Sequence, residues 1–404
     1  MQPDAVLRAP QRPAAPPSTT EGQSAQVRDS ASGKVFYGNL EALRGIAALA
    51  VAFGHCFLIA PFQAGAQAEY ELSLCIMNGR AAVSVFFVLS GFVLTLAMRR
   101  TTGSRTADYA AFEIRRFFRI LPVFLIVATA ISLAAVLFLP VYFPAWSSEW
   151  FHKNYTGKPS ALDILHHLFL LDTKLNPVSW TLQVEMCASL LLPFMIWINR
   201  MLSLRGKLLF QLPMLALAYI FRYTTLHPLA YCLGFLWPFY LGVLIADLGP
   251  WLWKRFRPVS AWWLILAGWA VLLSSRLIHR QIVGLVCEQF GAFIVVGGLV
   301  YGPPNWIGRA LDHPTSKFYG RISYCFYLSH FSVMYLVALL LSPALAALWP
   351  PNHPFMFAML VGIISTGIAT MIAWLLHISV EKPCIQISKQ ICERWFPPHN
   401  SKAG

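Results

Sequence analysis

Asn39-Leu-Glu41-Ala-Leu-Arg44-Gly-Ile-Ala-Ala-Leu-Ala-Val-Ala-Phe-Gly-His55-Cys-Phe57 is an apolar run of helix length that carries an arginine and a histidine. Eleven residues separate Arg44 from His55. At 3.6 residues per turn this is about three turns, so both side chains lie on one stripe, ~16 Å apart along the axis. Glu41 stands one turn before Arg44 and can pair with it on the same face. Ionisable groups inside hydrocarbon are costly, so an aligned pair of this kind points to a functional site, against a structural reading in which His55 bonds a neighbouring helix and Arg44 snorkels inward. His55 suits a general base or a transient acyl carrier, and Arg44 an anion-binding group.

The rest of the 404-residue chain is of the same kind: 57% hydrophobic and 12% charged. A soluble domain carries roughly 25% charged residues. The apolar runs are long and do not alternate, which predicts an all-α integral membrane protein, a bundle of about ten transmembrane helices. The expected spans are 40–60, 81–98, 120–139, 178–198, 208–226, 231–248, 259–273, 282–301, 322–348 and 355–378. The seventh is short and the ninth long, with Pro343 placed to break or end it. With both termini in the cytoplasm, the 31 lysines and arginines divide roughly three to one in favour of the inside segments. The net charge of +14 therefore reads as membrane topology and not as a nucleic-acid surface. The bilayer is the partner this composition demands, and localisation in the cell's inner (plasma) membrane, multi-pass, is expected.

Three regions are expected. Residues 1–36, rich in Pro, Ala, Ser, Gln and Thr, form a disordered cytoplasmic tail without the apolar region of a signal peptide. Residues 37–385 form the transmembrane domain, and 386–404 a short cytoplasmic tail. A long outside loop, about 140–177, holds Trp146, Trp150, Phe151, His152 and Tyr155. These aromatics suit an interfacial belt or the stacking of sugar rings. Within the loop, Ser160-x-x-Asp163 is a capping pattern that starts an amphipathic helix on the outer face. The eight cysteines form no CxxC pair and no metal-ligand spacing, and read as small core residues.

Further clusters bear on chemistry. Glu113-Ile-Arg115-Arg116-Phe-Phe-Arg119 enters the third span, with Arg116 and Arg119 on one face and Arg115 one turn from Arg119. Guanidinium forks suit phosphate oxygens, though anionic lipid contact would use the same residues. Trp180-Thr-Leu-Gln-Val-Glu185 enters the fourth span. Glu185 there can orient His55, bind an acceptor hydroxyl or partner an arginine. Tyr327-Leu-Ser-His330 brings a second histidine into a span, for packing or for catalysis. The small residues around Ser90 and Gly91 favour close helix packing.

Taken in this order, Leu43-Arg44-Gly45 through His55, Phe86-Phe-Val-Leu-Ser90-Gly91, Arg115-Arg116-Phe-Phe-Arg119, Trp180 to Glu185, Gly320-Arg-Ile-Ser-Tyr324 with Tyr327 to His330, and Val380-Glu381-Lys-Pro383 resemble the membrane-bound acyltransferase 3 family, over about residues 38–385. The family O-acylates sugars of surface polysaccharides and related glycans. The resemblance implies catalytic roles for His55 and Glu185. It implies donor binding by Arg44, Arg115, Arg116 and Arg119, with Glu41, Ser90, Trp180, Tyr327 and His330 as further site residues. The donor would be acyl-CoA, most often acetyl-CoA, from the cytoplasm, with no permanently bound cofactor. The acceptor would be a hydroxyl of a glycan or lipid-linked sugar at the outer face, with polysaccharide-assembly proteins as further partners. Thr181, Gln183 and Ser329 depart from the family's usual residues, as does Glu41, where aspartate is common. The chain ends soon after the tenth span, so the extracytoplasmic domain of some members is not expected. The residues alone also admit a multi-span transporter or exporter of small acids or glycan precursors, which needs intramembrane charge as well. A structural partner in glycan assembly is a third reading.

Overall fold

The computed structural model describes residues 27–28, 35–36, 38–59, 67–99, 105–138, 148, 150, 157–223, 228–255, 261–278, 281–303, 305–348 and 354–396. They are almost entirely helical. A two-residue antiparallel ladder, Val27–Arg28 with Val35–Phe36, is the one strand pairing among the described residues. Of the loop aromatics, Trp146, Phe151, His152 and Tyr155 lie outside the described residues.

The helices are α1 (Gly38–Phe57), α2 (Gln67–Ile76), α3 (Gly79–Met98), α4 (Arg105–Phe138), α5 (Ala161–Leu168), α6 (Trp180–Met201), α7 (Leu204–Leu209), α8 (Gln211–Tyr223), α9 (Pro228–Leu233), α10 (Leu236–Arg255), α11 (Ala261–Ser274), α12 (Gln281–Tyr301), α13 (Trp306–Leu311), α14 (Pro314–Leu348), α15 (Pro354–Leu376) and α16 (Lys382–Trp395). Among the described residues, nine helical stretches are long and apolar enough to cross a bilayer, and Trp262–Leu277 is a shorter apolar helix. This is a multi-span, all-α membrane protein. The short stretch matches the weak seventh span. Pro343 does not end the ninth, because α14 runs on to Leu348. A helix of 34 residues such as α4 is ~51 Å long, well beyond a ~30 Å hydrocarbon layer. Its arginine-bearing first turns therefore extend past the apolar part.

Lipid tails are as apolar as leucine, so burial of apolar surface does not drive these helices together. Close backbone approach does, and glycines permit it. At the crossing of α1 and α14, a Cβ on Gly45 would collide with the backbone of Tyr319 and Gly320, and one on Gly320 with the Glu41 carbonyl. Gly91 of α3 and Gly242 of α10 meet in the same way, against Phe239 and Val88. The small residues near Ser90 thus do serve packing. Outward faces carry large apolar groups such as Phe138, Leu340 and Met371.

Polar bonds fix the bundle's register. Asn78 caps α3 at Ala81 N (3.1 Å) and donates to Leu272 O (3.0 Å) and Ser275 Oγ (3.1 Å). Tyr324 Oη donates to Ile120 O (2.6 Å), joining α14 to α4. The expected loop helix is α5, with Ser160 and Asp163 closing a capping box. The Ser160 hydroxyl and N–H both donate to Asp163 and hold its carboxyl below the usual range. The chain then turns at Leu170, which has φ 58°, a left-handed backbone for a residue with a Cβ. The Leu170 N–H donates to His167 O (3.0 Å), and Gln183 Nε2 donates to Leu170 O (2.8 Å). Asn176 Nδ2 donates to Leu328 O (3.1 Å), seating the loop against the His330 helix.

Candidate functional site

Two ends of the bundle carry ionisable clusters, and α1 runs between them. At one end Arg44, Ser90, Arg116, Arg119, Glu185 and Tyr324 line a cavity of about 30 Å³. Glu185 Oε1 accepts from Ser90 Oγ (3.0 Å) and lies 3.8 Å from Arg116 Nη2. Arg119 Nε reaches Glu381 Oε1 (4.0 Å). A π-helical turn, His377–Glu381, brings His377 Nδ1 to 2.8 Å from Glu381 Oε2, and Cys325 Sγ donates to the same oxygen (3.3 Å). The carboxylates thus hold parts of two guanidinium groups. The Nε atoms of Arg44 and Arg116 are buried with no hydrogen-bond partner among the described residues. A buried donor left unmade costs about 1–3 kcal/mol, which a ligand oxygen would recover. Glu41 acts electrostatically on Arg44, as helix spacing predicts, but leaves its Nε without a hydrogen bond.

A second cavity, of about 40 Å³, shares Arg44, Glu185 and Tyr324 with the first and reaches Val83 and Tyr327. A third, of about 280 Å³, shares Val83 and Tyr327 with the second and is walled by His55, Trp180, Tyr231 and Phe235. Successive wall residues therefore lead from the arginines to the histidine.

His55 is held from behind. His330 Nδ1 lies 2.6 Å from the Tyr327 carbonyl oxygen, which can only accept, so Nδ1 carries the proton. In the neutral ring His330 Nε2 is then a bare acceptor. It lies 3.0 Å from His55 Nδ1, which must donate to it. His55 Nε2 is left with its lone pair on the side away from His330. The two imidazoles are nearly coplanar, at 5° between ring planes. Trp150 lies almost parallel to His55 at 5.8 Å, and Phe331 meets it edge-on at 5.4 Å.

The sequence-predicted residues divide by location. His55, Trp180 and Tyr327 line the large cavity, with His330 behind them. Arg44, Ser90, Arg116, Arg119 and Glu185 line the small one. Glu41 lies at the α1–α14 crossing beside Gly320. Arg115 is exposed and outside this lining, because one residue turns a helix by 100° and Arg116 takes the inward direction. The described contact at His55 Nδ1 comes from His330, whereas Glu185 engages Arg116 and Ser90. Sequence reading did not single out Asn78, Arg80, Arg222 or Arg276, which also line the large cavity. Their shared signal is position at helix ends on the His55 side.

The acyltransferase 3 family, whose sequence model is described as an acyltransferase domain, matches residues 37–374. Comparison with curated proteins and with solved structures returns no match. The chain belongs to the acyltransferase 3 family and is an acyltransferase. The transporter reading thereby loses its support.

Proposed function

We propose that this membrane acyltransferase takes its acyl group, acetyl in the first instance, from acyl-CoA on the cytoplasmic side. It passes the group to a hydroxyl of a glycan or lipid-linked sugar at the outer face of the inner membrane. The observation that carries the reading is the series of cavities from the orphaned Arg44 and Arg116 Nε atoms to His55. Guanidinium groups of Arg44, Arg116 and Arg119 suit the phosphates and amide oxygens of the donor. The ~16 Å rise from Arg44 to His55 is comparable with an extended pantetheine arm. The narrow middle section suits an unbranched chain of that kind.

His55 Nε2 acts as the base. It accepts the proton of the acceptor hydroxyl while the oxygen attacks the thioester carbonyl. A C–O bond forms, the C–S bond breaks, and the proton passes to the departing sulfur. His330 is a positioning residue: it holds His55 in the tautomer whose Nε2 is bare. Direct attack by the acceptor requires only this one lone pair. General-base catalysis of this kind contributes about 10²–10⁴-fold. Full-length protein in lipid nanodiscs, given acetyl-CoA and surface glycan from a deletion strain, should release CoA and form glycan ester. His55→Ala should lower both by that factor at unchanged expression. Wild-type turnover in His55→Ala would sink the assignment.

A further inference from the structure

Three arginines converge on the large cavity from three separate helix ends. Arg80 opens α3, Arg222 closes α8, and Arg276 follows α11. No aspartate or glutamate is among the described residues lining this cavity. Glu288 approaches Arg80 (3.2 Å) from α12, and its charge also acts on Arg222 and Arg276, so one carboxylate offsets part of the charge of three arginines. The Arg222 guanidinium lies 4.0 Å above the Phe235 ring, a contact that fixes its plane without neutralising it. Gly234 makes room for this arrangement, since a Cβ there would strike the Arg222 side chain at 2.8 Å. Asn78 ties together the segments that carry the other two, through the α3 cap on one side and Ser275 on the other.

By the positive-inside tendency, arginine is uncommon on this side of the bundle. Four arginines fall there by the sequence count; Arg280 lies outside the described residues and the other three share one cavity. Like charges gathered this way repel, and an entering anion relieves the repulsion. Trp180 and Tyr231 supply apolar faces in the same wall, of the kind on which a sugar ring packs.

Resting on the acyl-transfer reading, we propose that the acceptor is anionic. Its acidic group, a sugar carboxylate or phosphate, is bound by Arg222 with Arg80 and Arg276, and its hydroxyl is presented to His55. Quenching of tryptophan fluorescence in full-length protein in zwitterionic nanodiscs tests this with three probes: glucuronic acid, glucose 1-phosphate and glucose. One or both acidic probes should bind, more weakly as salt rises, and at least about tenfold more tightly than glucose. The arm that binds separates a carboxylate acceptor from a phosphorylated one. Arg222→Gln and Arg276→Gln should each weaken acidic binding by about tenfold and leave glucose unchanged. Arg222→Lys, which keeps the charge on a folded scaffold, should fall between. Equal binding of glucose and both acidic probes, or acidic binding indifferent to all three substitutions, overturns the proposal. Release of CoA from acetyl-CoA is scored on the same samples. Its loss in the wild type would overturn the transfer reading, a signal separate from loss of anion preference.

Discussion

The two arginine clusters of this protein are built from the same side chain and differ in almost everything else. At the Arg116 end the cationic groups come from helix interiors, interlock with Glu185 and Glu381, and surround about 30 Å³ of space. At the His55 end they come from helix ends, share the carboxylate of Glu288, and surround about 280 Å³. A tight, half-neutralised cluster suits a thin ligand held at many points. A wide, strongly cationic one suits a bulky anion that enters and leaves. Charge alone does not distinguish the two; the carboxylates threaded between the guanidinium groups do.

The largest expected effect sharpens the contrast at the His55 end. His330→Ala should lower kcat by roughly 10²-fold, because loss of the group that fixes a histidine tautomer is costly. KM for donor and acceptor should stay within about twofold, and His330→Gln, whose amide oxygen accepts from Nδ1, should restore about tenfold. A merely structural role predicts lost folded protein instead, visible by size-exclusion chromatography. At the other end, Arg116→Ala removes a buried charged donor and should raise KM for acyl-CoA by about 10–100-fold. Steady-state kinetics should show the acceptor KM unmoved; a matching rise there would erase the division between the ends. Arg115→Ala, one residue away and exposed, should change donor KM by less than about twofold, the size of a surface substitution. An effect as large as that of Arg116 would break the assignment of the inner cluster.

The bundle was readable from sequence because each span is a local property. Unbroken apolar runs set the helices, and charge asymmetry set an expected orientation. Arg44 and His55 were readable for the same reason: one helix carries both, and its periodicity aligns them. The His55–His330 contact was not, since 275 residues separate the two. Tyr327 in the sequence gives no sign that its carbonyl sets a tautomer. Nor does the sequence show that Asn78 draws Arg80 and Arg276 together, because that depends on how α3 meets the end of α11. Gly45 and Gly320 are ordinary glycines until the crossing of α1 and α14 gives each a reason. Glu41 stands between the two cases: helical spacing correctly places its charge by Arg44, while the Arg44 Nε stays without a hydrogen bond.

The middle section between the clusters has an electrical consequence. A passage that serves both faces of an energised membrane is a potential short circuit. Here it consists of cavities of about 40 and 30 Å³, room for roughly two or three water molecules each, with the Arg44 guanidinium in the wall of both. A fixed positive charge at a constriction repels protons and metal cations. On the proposed reading, the same residue that meets the acyl donor also keeps cations out of the constriction.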